Sequence, residues 1–179
     1  NILAVHPSLA VKSVGELLAQ AKARPGAINY ASGGSGSGPH LATELLKMLA
    51  GINLTHVAYK GTGPALNDLL GGQVQMMIAV MASALPHVAS GKLRGLAVTG
   101  AARSPGAPGI PTIAESGVPN YEFNTWYGIQ VPAGTPRAVV KELNADVRRA
   151  LQEPGVRARF AAGGLEPLAS TPEEFGSML

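Results

Sequence analysis

The sequence predicts an α/β fold built on a mostly parallel sheet, and three observations carry the prediction. Short apolar runs of strand length alternate with longer segments of helical periodicity. Two of the connections are glycine-rich turns that run directly into a proline-marked helix start. Hydrophobic residues make up 46% of the 179 residues and charged residues 14%, which supplies a core and argues against disorder.

The elements follow in order. Asn1-Ile2-Leu3-Ala4-Val5 reads as a buried strand. A chain rarely opens inside a core strand, so upstream material is expected. Ser13 and Glu16 form a capping box ahead of Leu17, Leu18 and Ala21, in a helix ending near Arg24-Pro25-Gly26. Ile28–Ala31 is a short strand, followed by Gly33-Gly34-Ser35-Gly36-Ser37-Gly38 and a helix opening at Pro39. Leu41, Leu45, Met48 and Leu49 give that helix its predicted apolar face, and Gly51 ends it.

The unit then repeats. His56–Tyr59 is a strand, Lys60–Gly63 a turn, and Pro64 opens a helix closed by Gly71. Val74–Val80 is the most apolar strand and is expected to be central, buried on both faces. Ser83–Ala89 is a short helix and Leu93–Val98 another strand. A Pro- and Gly-rich loop covers Gly100–Pro119, with a small helix predicted around Thr112–Glu115. Trp126–Val131 reads as a strand, and Thr135-Pro136 starts the longest helix, with Val139, Val140, Leu143, Val147 and Leu151 on one face. A helix near Gly155–Ala162 follows. Thr171, Pro172 and Glu174 begin a last one, where Phe175 and Met178 start an apolar face before Leu179. The pattern predicts that the chain is clipped at both ends, leaving the long helix and Phe175–Leu179 short of partners and open to self-association.

Several chemistries are excluded or weakened. Cysteine is absent, so there are no disulfides, thiolate metal ligands or Cys nucleophile. The four histidines, at 6, 40, 56 and 87, lack the three-to-five-residue spacing of a metal site, and no cofactor is expected. His40 and His87 each follow a proline, and capping or packing is their plain reading. The net charge of +3 is scattered and aromatics are 4%, which argues against a nucleic-acid surface. Gly33–Gly38 has P-loop glycine spacing, but Pro39-His40 stands where Lys-Ser/Thr is required. The dinucleotide pattern fails at Pro39, and neither Ser35 nor Ser37 completes a nucleophile elbow. No base is found near a nucleophile, which counts against a small α/β hydrolase acting on an anionic substrate.

What remains is the strand, glycine turn and helix N-terminus, at Ser32–His40 and again at Tyr59–Pro64. A helix N-terminus presents unpaired N–H groups and about half a positive charge. Glycines admit an anion close to the backbone, so such a turn binds a carboxylate without Lys or Arg. Turns of this kind also occur simply because a tight connection needs them.

The residues around these turns resemble a known family. Asn29–Ala42, His56–Ala65, Leu70–Met77, Ser83–His87, Gly91–Val98, Pro111–Gly117 and Trp126–Pro136 match, in order, segments of the Bug receptors, the extracytoplasmic solute receptors of tripartite tricarboxylate transporters. The resemblance implies a type II periplasmic-binding-protein-like architecture, with one complete lobe plus part of a second. Residues 1–121 would be the second lobe, carrying the ligand turns, and residues 122–179 an incomplete portion of the first. It implies a periplasmic, non-enzymatic protein that captures a small carboxylate for membrane transporter subunits; a carboxylate-sensing module for a two-component system is the alternative. Ser32, Gly34, Ser35, Gly36, Ser37, His40, Tyr59, Lys60, Gly61, Thr62 and Gly63 are the implied ligand-binding residues, with Ser83 and Trp126 walling the cleft. Trp126 reads equally well as a hinge or core residue. One departure stands out: members often carry an Asp after the Gln-Val-Gln strand, where this chain has Ile78-Ala79-Val80.

Overall fold

A computed structural model describes residues 1–178. The chain divides into two compact units, Asn1–Thr125 and Trp126–Leu179.

The first unit is a five-stranded sheet between two helical layers. Its strands are β1 (Ile2–Val5), β2 (Asn29–Ser32), β3 (Thr55–Ala58), β4 (Met76–Ala79) and β5 (Arg94–Val98), in spatial order β3-β2-β4-β1-β5. β2 pairs parallel with β3 and β4, while β1 runs antiparallel between β4 and β5. Strands β2 to β5 therefore share one direction and β1 alone opposes them. β1 and β4 are buried along their whole length, as an apolar run inside a covered sheet should be.

Alternation along the strands feeds two cores. Leu3, Val5, Tyr30, Met76 and Ile78 face α1 (Val14–Ala23) and α2 (Gly38–Ala50). Ile2, Ala4, Ala31, Met77 and Ala79 face α3 (Thr62–Leu70) and α4 (Met81–Ala89). The capping box at α1 forms with a shift: Ser13 Oγ accepts from Glu16 N–H at 3.2 Å, and Glu16 accepts from Lys12 N–H at 2.7 Å. Gly51 ends α2 in the left-handed region, at φ 61°.

Four expectations need correction. The buried side of α2 is Ala42, Thr43 and Leu46; Leu41 is 50% and Met48 70% exposed. Ala42 and Thr43 let the helix lie close on Tyr30 and Met76, Leu46 is buried and Leu45 packs against the same core, while Leu41, Met48 and Leu49 turn outward. Helices α3 and α4 each begin two residues earlier than their sequence signals, at Thr62 and Met81, so Pro86-His87 lies inside α4. Residues 112–115 form a single turn rather than a helix. Thr112 N–H donates to Glu115 and Glu115 N–H to Thr112 Oγ1, but Gly117, at φ 104°, stops propagation. Thr112 instead bridges Val98. The loop then folds back, placing Ile113, Val118 and Tyr121 in the core, with Tyr121 Oη donating to Ala42 C=O at 2.9 Å.

The second unit holds α5 (Arg137–Gln152), α6 (Pro154–Ala162) and α7 (Pro172–Met178). None has a buried residue, and Val139 and Leu143 of α5 are exposed. Trp126–Val131 forms no strand, the fourth correction. A strand needs a neighbour for its ladder, and this unit supplies only helices among the described residues. Phe175 does have partners: it meets Trp126 edge-on at 5.6 Å and lies where a Cβ on Gly128 would fall. Leu179 lies outside the described residues.

Candidate functional site

β2 and β3 are adjacent and parallel, so the turns that follow them leave the same edge of the sheet side by side. Tyr59 N–H donates to Ser32 C=O at 3.0 Å and Gly61 N–H to Gly33 C=O at 3.1 Å, tying one turn to the other. A Cβ on Gly33 would lie 3.1 Å from Thr62 Cγ2 and 3.2 Å from Thr62 N, so a side chain there would press on the start of α3 and glycine suits the close approach. Ser32, Gly34, Ser35, Gly36, Ser37, His40 and the Tyr59–Gly63 turn thus form one constellation at the C-terminal strand ends, with α2 and α3 starting beside each other.

The first turn is internally fastened. Ser37 N–H donates to Gly34 C=O at 3.2 Å, and Gly36 sits at φ 79°, as a type II turn requires of its third residue. Ser37 Oγ also donates to Gly34 C=O, at 2.7 Å. Its hydroxyl therefore shapes the turn. Gly36 N–H donates to His40 Nδ1 at 3.1 Å. Backbone N–H groups in the first turn of each helix have no acceptor one turn back, and Ser35, Gly36 and Thr62 are exposed around them.

The remaining predicted residues sit differently. Tyr59 Oη donates to Asp68 Oδ2 at 2.7 Å, and burial with this carboxylate pushes its pKa up to about 12. Its hydroxyl braces the second turn against α3. Lys60 is exposed. Ser83 lies at the start of α4, on the same sheet edge beyond β4, and donates to Val80 C=O at 2.8 Å. Trp126 belongs to the second unit, 52% exposed against Phe175.

Sequence spacing misses a cluster beneath the first turn. Tyr30 and His56 are direct partners in the β2–β3 register and stack at 4.8 Å. His40, from α2, stacks on His56 at 4.2 Å and on Tyr30 at 6.4 Å, so the three rings form one cluster. Tyr30 Oη donates to Glu44 Oε1 at 2.5 Å, and Lys47 Nζ to the same oxygen at 2.7 Å. Burial works to raise the Glu44 pKa, but the Lys47 and Tyr30 donors outweigh it and hold the carboxyl below its ordinary value. Burial, then the neighbouring His40, lowers the pKa of His56.

His56 Nε2 also lies 2.6 Å from Ser32 Oγ, a serine–histidine pair that sequence reasoning did not find. Its chemistry is structural. Ser32 is fully buried, and its hydroxyl contacts Gly34 C=O and Gly34 N–H, both at 3.1 Å. One proton and two lone pairs satisfy all three contacts only if Ser32 donates to Gly34 C=O and His56 donates through Nε2–H. His56 is then a donor rather than a base. Among the described residues no cluster of three His, Cys, Asp or Glu suits a metal ion.

Residues 1–178 match the family model described as tripartite tricarboxylate transporter family receptor. The chain is 40% identical to Protein BugT of Bordetella pertussis (strain Tohama I) over 173 residues, 97% of this chain and 53% of that protein. It thus spans about half the length of the curated relatives it matches. Among solved structures, R. palustris Rpa4515 with adipate superposes with a TM-score of 0.95 at 38% identity, covering 99% of this chain and 60% of that one. The periplasmic binding protein BugD superposes at 0.92 and 33% identity, covering 99% and 60%.

Proposed function

The chain belongs to the tripartite tricarboxylate transporter receptor family, and we propose that it is the carboxylate-holding part of a periplasmic receptor. In this reading residues 1–121 form the second lobe and residues 122–179 a portion of the first. The receptor captures a small carboxylate and delivers it to membrane transporter subunits. The observation that carries the reading is the joining of two glycine turns at adjacent parallel strand ends, each opening a helix N-terminus. Two helix N-termini opening at adjoining turns favour an anion, and open sheets bind ligands at this edge. A dicarboxylate is the substrate class best supported, since the similar Rpa4515 is described with adipate.

Calorimetry on the full-length receptor containing this chain tests the reading, with adipate and a series of shorter dicarboxylates. Saturable binding that weakens in Gly36→Val supports it. Equal affinity in wild type, Gly36→Val and Ser37→Ala would remove the turn from the site.

A further inference from the structure

Two histidines from separate elements hold the glycine turn from below. His40 offers a bare Nδ1 to Gly36 N–H, and His56 donates to the buried Ser32 hydroxyl, which in turn grips both polar groups of the Gly34 backbone. Their rings stack at 4.2 Å with 22° between planes, and Tyr30 stacks with both of them, at 4.8 Å from His56 and 6.4 Å from His40. The titratable groups facing the pair are Tyr30 from β2 and Glu44 and Lys47 from α2. Glu44 Oε1 is 4.0 Å from His40 Nε2 and is already engaged by Tyr30 and Lys47.

We propose that His40 and His56 are positioning residues, which hold the turn in its carboxylate-accepting shape and release it when the stacked pair takes up a proton. The inference rests on the reading of this turn as the carboxylate site. Two stacked imidazolium rings repel each other, so the pair accepts one proton before it resists a second. The proton that matters is one taken up by His40, whose ring tethers the turn directly. Its only bare nitrogen in the neutral tautomer is Nδ1, the atom that accepts from Gly36. Protonation sets N–H against N–H there, while the new charge draws the ring towards Glu44. The turn loses its tether at Gly36.

The test uses the full-length receptor labelled with ¹⁵N-glycine, with adipate as probe, over the span in which imidazole titrates, from about pH 8 to about pH 5. In wild type the Gly36 amide resonance should titrate with the imidazoles, and adipate affinity should fall about tenfold on acidification. His40→Asn keeps a side-chain acceptor near the Nδ1 position and does not titrate. It should bind adipate more tightly than His40→Leu and flatten both profiles. His40→Leu should lose about tenfold throughout. An equal acid loss in His40→Asn and wild type overturns the proposal, as does a Gly36 amide indifferent to pH. Affinity that rises in acid also overturns it, since imidazolium would then pair directly with the carboxylate. If Gly36 titrates as expected but wild type binds no carboxylate at any pH, the carboxylate reading falls while the fastening of the turn by His40 stands.

Discussion

Ser37 shows how a residue's identity and its role separate. A hydroxyl in a glycine turn reads from sequence as a ligand donor, yet Ser37 Oγ donates to Gly34 C=O inside the turn. Ser37→Ala should therefore cost about 1 kcal/mol of stability, measured by urea unfolding, and reduce affinity only through the looser turn. Gly36 is different: its Cβ position meets nothing within 4 Å, so the obstacle to substitution is its φ of 79°. Gly36→Ala and Gly36→Val should both destabilise by about 1–2 kcal/mol, with the larger side chain alone blocking approach of an anion. His56 gives a pH dependence. Its folded pKa is lowered by burial and then by His40, so the unfolded chain takes up a proton nearer the ordinary 6.5 than the folded chain does. Stability from this residue is present above about pH 6.5 and is lost as pH falls through the lowered folded value. Urea midpoints across that range should drop on acidification in wild type and drop less in His56→Gln. The pairing of His40 with His56 was not legible in sequence. The residues lie sixteen apart, and only the Tyr30–His56 register and the start of α2 bring them together.

Elements were read well where local signals and burial agree. The strands around 28–31, 55–59, 74–80 and 93–98 sit within a residue or two of the observed β2 to β5, because each is a short apolar run between turn residues. The position of β1 was not legible, since an apolar pentapeptide carries no direction. The α2 face was misread because counting leucines ignores the backbone's need to approach the sheet; Ala42 and Leu46 lie inside and Met48 outside. Trp126–Val131 has the composition of a strand but no ladder partner in its unit. Within that unit Gly128 packs under Phe175, where an added Cβ would run into the ring. Gly128→Ala should push the ring aside and shift the emission of Trp126, the only tryptophan, which meets Phe175 edge-on. An unchanged spectrum would mean that this contact does not persist in solution.

At the scale of the whole molecule, two units with different degrees of packing share one chain. The first has a continuous core on both faces of its sheet, whereas α5, α6 and α7 bury no residue. Leu41, Met48 and Leu49 on α2, and Val139 and Leu143 on α5, are exposed apolar surface of the kind that recruits partners or dye. The isolated chain should bind a hydrophobic dye and sediment above its monomer mass, and a compact, dye-silent monomer would contradict this. The family resemblance in the sequence agrees with the family match over residues 1–178. Which residues touch a ligand depends on more than motif matching, since Tyr59 and Ser37 carry donors that the fold has already engaged. The central claim is that the turns at 33–38 and 60–63 together hold a carboxylate. It is tested most directly by titrating adipate into the ¹⁵N-glycine-labelled full-length receptor. The predicted result is that the amides of Gly34, Gly36, Gly38, Gly61 and Gly63 shift together along one saturation curve. Saturable binding that leaves these five unmoved while glycines elsewhere shift would contradict it.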